Sequence, residues 1–263
     1  MVKRICLIDY DMSVRGGVEQ VTSSLSRGLA DKYEIHVISL CLNEKLAYQL
    51  DERVHFSCLL EKEKRLRQMR KEATLLLGRY FKEHHIEVAI LQGNYAGFIG
   101  SATRFHTKTK LIFCDHGALM NQWDRKDIVF IRLLSSWLCQ KTITLTEQSC
   151  LDYHKKFHLS LKRLSYIYNW IDLDSPHSMH YDVHSKRIIS AGRFGKEKGF
   201  DQLIQAFAPV AEKHPDWQLD IFGDGEMTDE VKRLIEHYQL KRQVNLMGMR
   251  NDLQENLSFA YIV

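Results

Sequence analysis

The sequence predicts an α/β protein with two parallel, doubly wound sheets, the second of them incomplete. Three observations support this fold class. Short apolar runs alternate with amphipathic stretches along almost the whole chain. A polar segment with little periodicity interrupts the alternation after Asp172. The alternation then resumes with an apolar run, a glycine turn and a basic loop that leads into a helical pattern.

Seven apolar runs in the first part of the chain have the length and composition of buried strands. Several are almost continuously apolar, as expected where helices cover both faces of a parallel sheet. The predicted strands are 5–8, 35–40, 54–58, 88–91, 111–114, 143–145 and 164–168.

Amphipathic stretches lie between most of these strands. Apolar residues at Val18, Val21, Leu25 and Leu29 are spaced as one face of a helix. Because strand, helix and strand repeat in this order, the strands are expected to run parallel. The other predicted helices of this part cover parts of 65–81, 128–138 and 147–157.

The polar segment divides the chain into a first domain at 1–172, a linker at 173–186 and the first half of a second domain at 187–263. The linker contains Pro176 and three histidines. The second domain has predicted strands at 187–191, 219–222, 244–247 and 261–263, and predicted helices at 201–213, after Thr228 and at 252–260. Pro209 is expected to kink or shorten the first of these helices.

Composition restricts the class of function. The 37 basic and 33 acidic residues leave a net charge of +4, which is too small an excess for a dedicated nucleic-acid binder. No apolar stretch reaches the length of a membrane-spanning helix, and the N-terminus does not resemble a signal peptide. The six cysteines form no Cys-x-x-Cys pair. Reduced thiols in a cytoplasmic protein are therefore predicted.

A basic loop follows the first strand of the second domain. Gly192-Arg193 and Lys198-Gly199 precede a predicted helix. Arginine offers a planar fork to phosphate oxygens, lysine adds a point charge, and a helix N-terminus favours anions, so the loop is a candidate diphosphate site. Two solvated surface cations are the alternative. Gly223 and Gly225 follow the next strand and are expected at the same carboxyl edge, where open α/β sheets bind ligands.

Two further candidates follow strands of the first domain. Gly16 and Gly17 precede the first helix. Paired glycines at a helix N-terminus expose backbone N–H groups that can bind an anion. A flexible loop is the alternative interpretation. They do not form a Gly-x-Gly-x-x-Gly sequence, which disfavours a nicotinamide cofactor.

His116 directly follows a strand. It is placed to hydrogen-bond a substrate hydroxyl or carbonyl, or else it is exposed on a turn.

Two other patterns have simple structural explanations. Asp9-Tyr10-Asp11 resembles a divalent-ion site, but acidic residues often end strands and the histidines lack a metal-ligand spacing. Neither a metal nor a cofactor is therefore predicted. A basic run is interpreted as a solvated helix face, or as a peripheral contact with the inner face of a membrane. It comprises Lys62, Lys64, Arg65, Arg67, Arg70 and Lys71.

Taken together, these segments resemble the family 4 glycosyltransferases, retaining enzymes of the GT-B fold. The resemblance extends over the whole chain, and the order and spacing of its segments make it specific. The segments are Arg15-Gly16-Gly17-Val18-Glu19, Asp115-His116-Gly117, Tyr168-Asn169-Trp170-Ile171-Asp172, Gly192-Arg193-Phe194, Lys198-Gly199-Phe200, Leu203-Ile204-Gln205-Ala206-Phe207 and Ile221-Phe222-Gly223-Asp224-Gly225.

The resemblance implies two Rossmann-like domains that face a cleft, the first binding an acceptor and the second most of a nucleotide-sugar donor. It implies that Arg193 and Lys198 neutralise the donor diphosphate as it leaves, which replaces a metal ion. Gly16-Gly17 would lie near the phosphates, His116 would contact the transferred sugar, and Asn169 would help to shape the cleft. The sugar would be transferred with retention of configuration.

The chain departs from the family pattern at its end. The family carries a Glu-x7-Glu segment after the strand that Tyr261-Ile262-Val263 begins, and one of those carboxylates is expected to bind the donor ribose. A complete member is expected to continue for roughly 80–110 residues, given the usual size of a domain. The second sheet is thus expected to be unfinished, and the chain to be marginally stable alone or to associate.

Three classes of function follow. The first is a glycosyltransferase of surface polysaccharide or glycolipid biosynthesis, with a nucleotide-sugar donor and a saccharide or lipid-linked acceptor. The second is a catalytically inactive, truncated remnant or a partner-dependent interaction module. The third is a nicotinamide-dependent dehydrogenase, which the missing glycine sequence disfavours.

Overall fold

The computed structural model describes residues 3–60, 66–170, 184–250 and 261–262. The chain forms two compact units, Met1–Ile171 and Asp172–Val263. Most of the segment 173–186 lies outside the described residues, so the bounds of the linker stay a prediction. No helix within the described ranges is both long enough and apolar enough to cross a membrane.

The first unit is built on a seven-stranded sheet. Its strands are β1 (Arg4–Asp11), β2 (Glu34–Cys41), β3 (His55–Leu60), β4 (Val88–Gln92), β5 (Lys110–Asp115), β6 (Lys141–Thr144) and β7 (Leu164–Tyr166). The spatial order is β3-β2-β1-β4-β5-β6-β7. Every neighbouring pair is parallel, which confirms the predicted parallel sheet.

Helices cover this sheet on both faces. They are α1 (Gly17–Leu29), α2 (Leu66–Glu83), α3 (Gly93–Gly100), α4 (Lys126–Leu138) and α5 (Glu147–Phe157). Alternate residues of β1 enter two separate apolar cores, because side chains alternate across a strand. Cys6 belongs to the core that includes Leu77 of α2, whereas Leu7 belongs to the core against which Leu25 of α1 packs. A helical layer on each face is the doubly wound arrangement that the sequence predicts.

The second unit repeats the beginning of this pattern. Its strands are β8 (Arg187–Ala191), β9 (Gln218–Phe222), β10 (Val244–Gly248) and β11 (Tyr261–Ile262), in the parallel order β10-β9-β8-β11. Its described helices are α6 (Phe200–Lys213) and α7 (Thr228–His237). Helix α6 continues past Pro209, so the predicted shortening is wrong. The helix predicted at 252–260 lies outside the described residues.

Both sheets change winding direction beside their first strand. In the first sheet β1 lies between β2 and β4, and in the second β8 lies between β9 and β11. Connections on the two sides of such a strand run to opposite faces, which opens a crevice at its carboxyl end. The segments that follow β1, β4 and β8 therefore occupy the edge of each sheet where a ligand is expected.

Candidate functional site

The loop after β8 places two cations beside a helix N-terminus. Arg193 and Lys198 are both exposed, and Lys198 is the last residue of a 3-10 turn, Lys196–Lys198, that leads into α6. Gly199 ends that turn at φ +66° and is the N-cap of α6. This left-handed conformation favours glycine. Lys198 therefore lies immediately before the unpaired N–H groups of the first turn of α6, which attract anions.

The side chain of Lys198 packs over Gly192. A Cβ on Gly192 would lie 3.8 Å from Cδ of Lys198, which is ordinary van der Waals contact. The lysine stem thus packs over the residue that precedes Arg193. Both cations are exposed on this loop, and the stem of Lys198 lies beside the residue that precedes Arg193.

Two glycines after β9 hold this loop in place. A Cβ on Gly223 would lie 1.9 Å from the backbone oxygen of Gly192, and a Cβ on Gly225 would lie 2.7 Å from that of Phe194. The loops are joined by backbone hydrogen bonds of 2.9 Å from Gly192 N to Phe222 O and from Phe194 N to Asp224 O. Gly223 and Gly225 therefore allow two backbones to touch, a role that the sequence did not predict for them.

The core of the second unit anchors the same loop. Phe194 is 1% exposed, and its ring centroid lies 4.8 Å from that of Phe200 at the start of α6. Its backbone oxygen accepts a hydrogen bond from Met227 N at 3.0 Å. Since Phe194 is fixed at both the ring and the backbone, the neighbouring Arg193 projects from a rigid support. Preorganised cations stabilise a developing negative charge without reorganisation.

In the first unit, an internal carboxylate covers the N-terminus of α1. Gly16 is the N-cap of this helix and Gly17 its first residue. A Cβ on Gly16 would lie 2.4 Å from Oε2 of Glu19. Burial raises the pKa of Glu19, and the charge of Asp11 adds to this shift. The place that an external phosphate would take at these glycines is thus held by Glu19.

The two aspartates of the Asp-Tyr-Asp segment bind protein groups. Asp9 is 1% exposed and accepts hydrogen bonds from Thr22 Oγ1 at 2.8 Å and from Tyr10 N at 2.7 Å. Burial, with repulsion from Glu19, raises the pKa of Asp9 to about 7. Asp11 accepts a hydrogen bond from Asn43 at 2.6 Å. Within the described ranges, no group of three or more His, Cys, Asp or Glu side chains is arranged for a metal.

His116 and Gln92 are joined at the carboxyl ends of β5 and β4. The distance from His116 Nε2 to Gln92 Oε1 is 2.7 Å. Burial lowers the pKa of His116 to about 4, so the imidazole is neutral at pH 7. With Nε2 donating to Gln92, Nδ1 is left as an acceptor. His116 is half-buried rather than exposed on a turn.

Gln92 is a site residue that the sequence interpretation missed. Its side chain is 2% exposed, and its Nε2 group is buried without a hydrogen-bond partner among the residues that the structure describes. An unsatisfied buried donor is costly, so such a group is a natural partner for a ligand oxygen. The only signal in the sequence was a polar residue at the end of an apolar strand.

A buried ion pair supports the loop around His116. Arg132 and Asp115 are each 1% exposed, with Nε of Arg132 3.2 Å from Oδ2 of Asp115. Tyr153 OH and Gly117 N donate to the same carboxylate at 2.7 and 3.1 Å. The signal in the sequence is an arginine in the middle of the apolar run at 128–134. Buried charges are found where they are paired and hydrogen-bonded.

The remaining predicted residues are not joined to these sites. Asn169 is exposed in the segment after β7. Lys62, Lys64 and Arg65 lie outside the described residues, as does the side chain of Arg67. Lys71 is exposed, whereas Arg70 is half-buried and its guanidinium lies 4.1 Å from the centroid of the Phe98 ring. Lipid contact through this run stays a prediction.

Two protein-family models match the chain. The model described as Glycosyltransferase Family 4 matches residues 15–175, and the model described as Glycosyl transferases group 1 matches residues 180–262. The first match covers most of the first unit, including the segments after β1, β4 and β5. The second match includes the loop of Arg193 and Lys198.

Individual relatives are distant but align along most of the chain. An uncharacterized glycosyltransferase of Haemophilus influenzae is 24% identical over 266 residues, which cover 99% of this chain and 72% of the relative. The N-acetylgalactosamine-N,N'-diacetylbacillosaminyl-diphospho-undecaprenol 4-alpha-N-acetylgalactosaminyltransferase of Campylobacter jejuni is 28% identical over 250 residues, or 90% and 67% of the two chains.

A solved structure with the same fold is that of a TarM variant from S. aureus in complex with Fondaparinux, alpha-GlcNAc-glycerol and UDP. It aligns with a TM-score of 0.77 and 13% identity over 98% of this chain and 80% of TarM. At this identity the likeness shows the fold alone, which is that of the GT-B glycosyltransferases.

Proposed function

This chain belongs to Glycosyltransferase Family 4, and from that premise we propose that it transfers a sugar from a nucleotide-sugar to an acceptor hydroxyl with retention of configuration. The acceptor is a saccharide or a lipid-linked saccharide of surface polysaccharide or glycolipid biosynthesis, reached from the cytoplasm. The C. jejuni relative supports this choice through the diphospho-undecaprenol acceptor in its name. The UDP bound to TarM supports a uridine nucleotide as the donor.

The arrangement of the loop after β8 carries the proposal. Its two cations, Arg193 and Lys198, are both exposed, and the stem of Lys198 packs over Gly192, next to Arg193. Arg193 offers paired N–H donors to the diphosphate, and Lys198 and the N-terminus of α6 add positive charge. As the bond between the anomeric carbon and the diphosphate oxygen breaks, negative charge grows on that oxygen. These groups stabilise it, so we propose a metal-independent reaction.

His116 acts on the sugar in this proposal. A neutral imidazole with Nε2 donating to Gln92 presents Nδ1 as an acceptor for a sugar hydroxyl. In this proposal the buried, unpaired Nε2 of Gln92 donates to a substrate oxygen once a movement at the site exposes it. The phosphate and the Glu19 carboxylate are both anionic and would occupy the same place at the N-terminus of α1. Gly16 and Gly17 therefore bind phosphate only once that carboxylate has moved away.

Replacing the two cations separately tests the proposed phosphate site. We expect Arg193→Ala and Lys198→Ala each to weaken UDP binding about tenfold or more, because each removes a charge-assisted hydrogen bond. Isothermal titration calorimetry with UDP measures the affinity. Lys196→Ala is the matched control, since Lys196 is an exposed lysine of the same 3-10 turn. If both variants bind UDP as tightly as the parent chain, the assignment of the phosphate site to this loop is refuted.

Product analysis tests the reaction itself. Incubation with UDP-sugars and lipid-linked saccharides is expected to yield a new glycosidic bond whose anomeric configuration, read by NMR, matches that of the donor. Specific capture of a partner protein without transfer from any nucleotide-sugar would favour a non-catalytic interaction module instead. A product with the inverted anomeric configuration would still be the product of a glycosyltransferase, but it would refute retention of configuration.

A further inference from the structure

Helix α4 is apolar on its outer face as well as its inner face. Its inner face buries Ile128, Ile131 and Ser135 in the first unit. The opposite face of a surface helix is normally charged or polar. In α4 it instead carries apolar residues at helical spacing, of which Phe130 and Trp137 are 57% and 52% exposed. The residues of this outer stripe are Phe130, Leu134 and Trp137, whereas Leu133 packs against the core.

The elements beside α4 extend the apolar surface. Met120 is exposed in the 3-10 turn before the helix. Phe105 and Leu161 are exposed at the other end, where Arg104 donates to Leu138 O at 2.8 Å and Arg163 donates to Trp137 O at 3.0 Å. We call these residues the α4 flank. It comprises Phe105, Met120, Phe130, Leu134, Trp137 and Leu161.

Exposed apolar residues are concentrated on the α4 flank. Thirteen large hydrophobic residues are exposed in the described part of the chain, and five of them belong to this flank. Single exposed hydrophobic residues need no explanation, whereas a contiguous group indicates a contact surface. The indole N–H of Trp137 is already used, since it donates to Phe157 O at 3.2 Å. The rest of that ring is left as an apolar contact.

The segments that form the α4 flank are rich in basic residues. Lys126 and Lys156 place their ammonium groups 5.7 and 5.1 Å from the centroid of the Trp123 ring. Asp127 is paired with Arg125 at 3.0 Å. Apart from the buried Arg132, the segments 120–138 and 155–163 together with residue 104 contain seven cations against the two carboxylates of Asp124 and Asp127. The cations are Arg104, Arg125, Lys126, Lys155, Lys156, Lys162 and Arg163.

We propose that the α4 flank docks onto an anionic lipid surface. Aromatic and aliphatic side chains on one face of a helix enter the boundary between headgroups and acyl chains, and neighbouring Lys and Arg side chains attract anionic headgroups. A second copy of the chain fits less well, because a two-fold contact would bring the same seven cations together. The inference needs no transfer reaction, and it places lipid contact on α4 rather than on the basic run at 62–71.

Cosedimentation of the 263-residue chain with vesicles tests this surface. The vesicles contain phosphatidylglycerol and phosphatidylcholine in equal parts, or phosphatidylcholine alone. We expect binding to the anionic vesicles only, and weaker binding as the salt rises from about 0.1 M to about 0.5 M, because salt screens the attraction. Phe130→Gln is expected to lower the partition coefficient about tenfold, since one buried aromatic side chain is lost.

Leu75→Gln is the matched control for the apolar substitution. Leu75 is 58% exposed, close to the exposure of Phe130, but it lies on α2. It is expected to bind vesicles like the parent chain. The double variant Lys126→Gln/Lys156→Gln alters two exposed residues and is expected to weaken both the binding and its salt dependence. This variant also tests the surface if Phe130→Gln does not fold, which circular dichroism would show.

Three results would overturn the proposal. The first is the absence of binding to phosphatidylglycerol vesicles. The second is a loss of binding in Leu75→Gln as large as in Phe130→Gln, which would place the lipid contact near α2. The third is a dimer, measured by light scattering, that Phe130→Gln dissociates while vesicle binding is unchanged. That result would assign the flank to a second copy of the chain.

Discussion

At the scale of single residues, the hydrogen bond between His116 and Gln92 explains how a histidine beside a strand end is held neutral and oriented. Gln92 accepts from Nε2 at 2.7 Å, and burial lowers the pKa of His116 to about 4. The amide oxygen of Gln92 is neutral and, unlike a carboxylate, does not favour protonated His116. Burial therefore determines the direction in which the pKa of His116 shifts. Gln92 is therefore a positioning residue for His116 in the proposed reaction.

Gln92→Glu tests this positioning role. A carboxylate at the same position would favour protonated His116, so we expect the pKa of His116 to rise by about one unit or more. NMR titration of the imidazole measures this value and does not depend on transfer activity. Gln92→Leu is expected to reduce kcat with little change in UDP affinity. A pKa of His116 that is the same in the parent and Gln92→Glu would contradict the contact.

Asp9 makes stability depend on pH. Its pKa is raised to about 7 in the folded chain, mainly by burial, against an ordinary value near 3.9 when unfolded. Between these values the folded state binds more protons, so this residue lowers stability progressively as the pH rises from about 4 to about 7. The loss is complete above about pH 7.

Asp9→Asn removes this dependence. We expect the change in the free energy of unfolding caused by Asp9→Asn to be more favourable at pH 8 than at pH 5 by about 1–3 kcal/mol. The reason is that the amide leaves no charge buried at high pH. Urea unfolding of both chains at the two pH values gives the difference. The same free-energy difference between the chains at pH 5 and pH 8 would show that Asp9 is ionised in the folded state throughout.

At the scale of secondary-structure elements, helix α3 shows why one element escaped prediction. Gly93–Gly100 is short, lacks a polar face and contains three glycines, so it has neither helical periodicity nor helical propensity. The fold nevertheless requires small residues there. A Cβ on Gly97 would lie 2.5 Å from the Phe113 ring, and a Cβ on Gly100 would lie 2.5 Å from Leu91. Close packing against β4 and β5 outweighs propensity.

Gly100→Ala tests this packing. We expect it to destabilise the chain by about 1–3 kcal/mol, because the added methyl group overfills a packed core. Gly28→Ala is the matched control, since a Cβ at Gly28 in α1 meets nothing within 4 Å. That change is expected to be neutral or to stabilise by about 0.5–1 kcal/mol through helix propensity. Thermal unfolding measures both, and equal effects would argue against tight packing at α3.

The loop after β8, in contrast to α3, was predicted from the sequence, but the contact that holds it in place was not. The order of strand, glycine, basic loop and helix pointed to a diphosphate site from residue types alone. The contact of Gly223 with the backbone of Gly192 could not be predicted, since it joins two loops that are distant in sequence. Its physical basis is the absence of a Cβ at φ +141°.

At the scale of the whole molecule, the two units share one topology. In each sheet the first strand lies between the second and the fourth, as β1 lies between β2 and β4. The candidate groups lie at the carboxyl edge of each sheet. His116 and Gln92 lie at the ends of β5 and β4 in the first unit, and Arg193 and Lys198 follow β8 in the second. Repetition of one supersecondary pattern explains how each unit presents its own set of functional groups.

The length of the chain relative to its relatives belongs to the same scale. It spans 72% of the H. influenzae relative and 67% of the C. jejuni relative. The reaction, the donor and the acceptor are therefore properties to be measured on this chain of 263 residues. Binding of UDP, transfer to an acceptor and binding to vesicles are three separate measurements, and each tests a different surface.

The sequence by itself determined the fold class, most strands and helices, and the basic loop of the second unit. It did so because apolar periodicity and glycine turns are local signals. Only the tertiary structure decided that Gln92 holds His116, that Glu19 covers the N-terminus of α1, and that Arg132 pairs with Asp115. These contacts join residues on different elements or depend on burial. Their energies come from desolvation and packing, which no local pattern encodes.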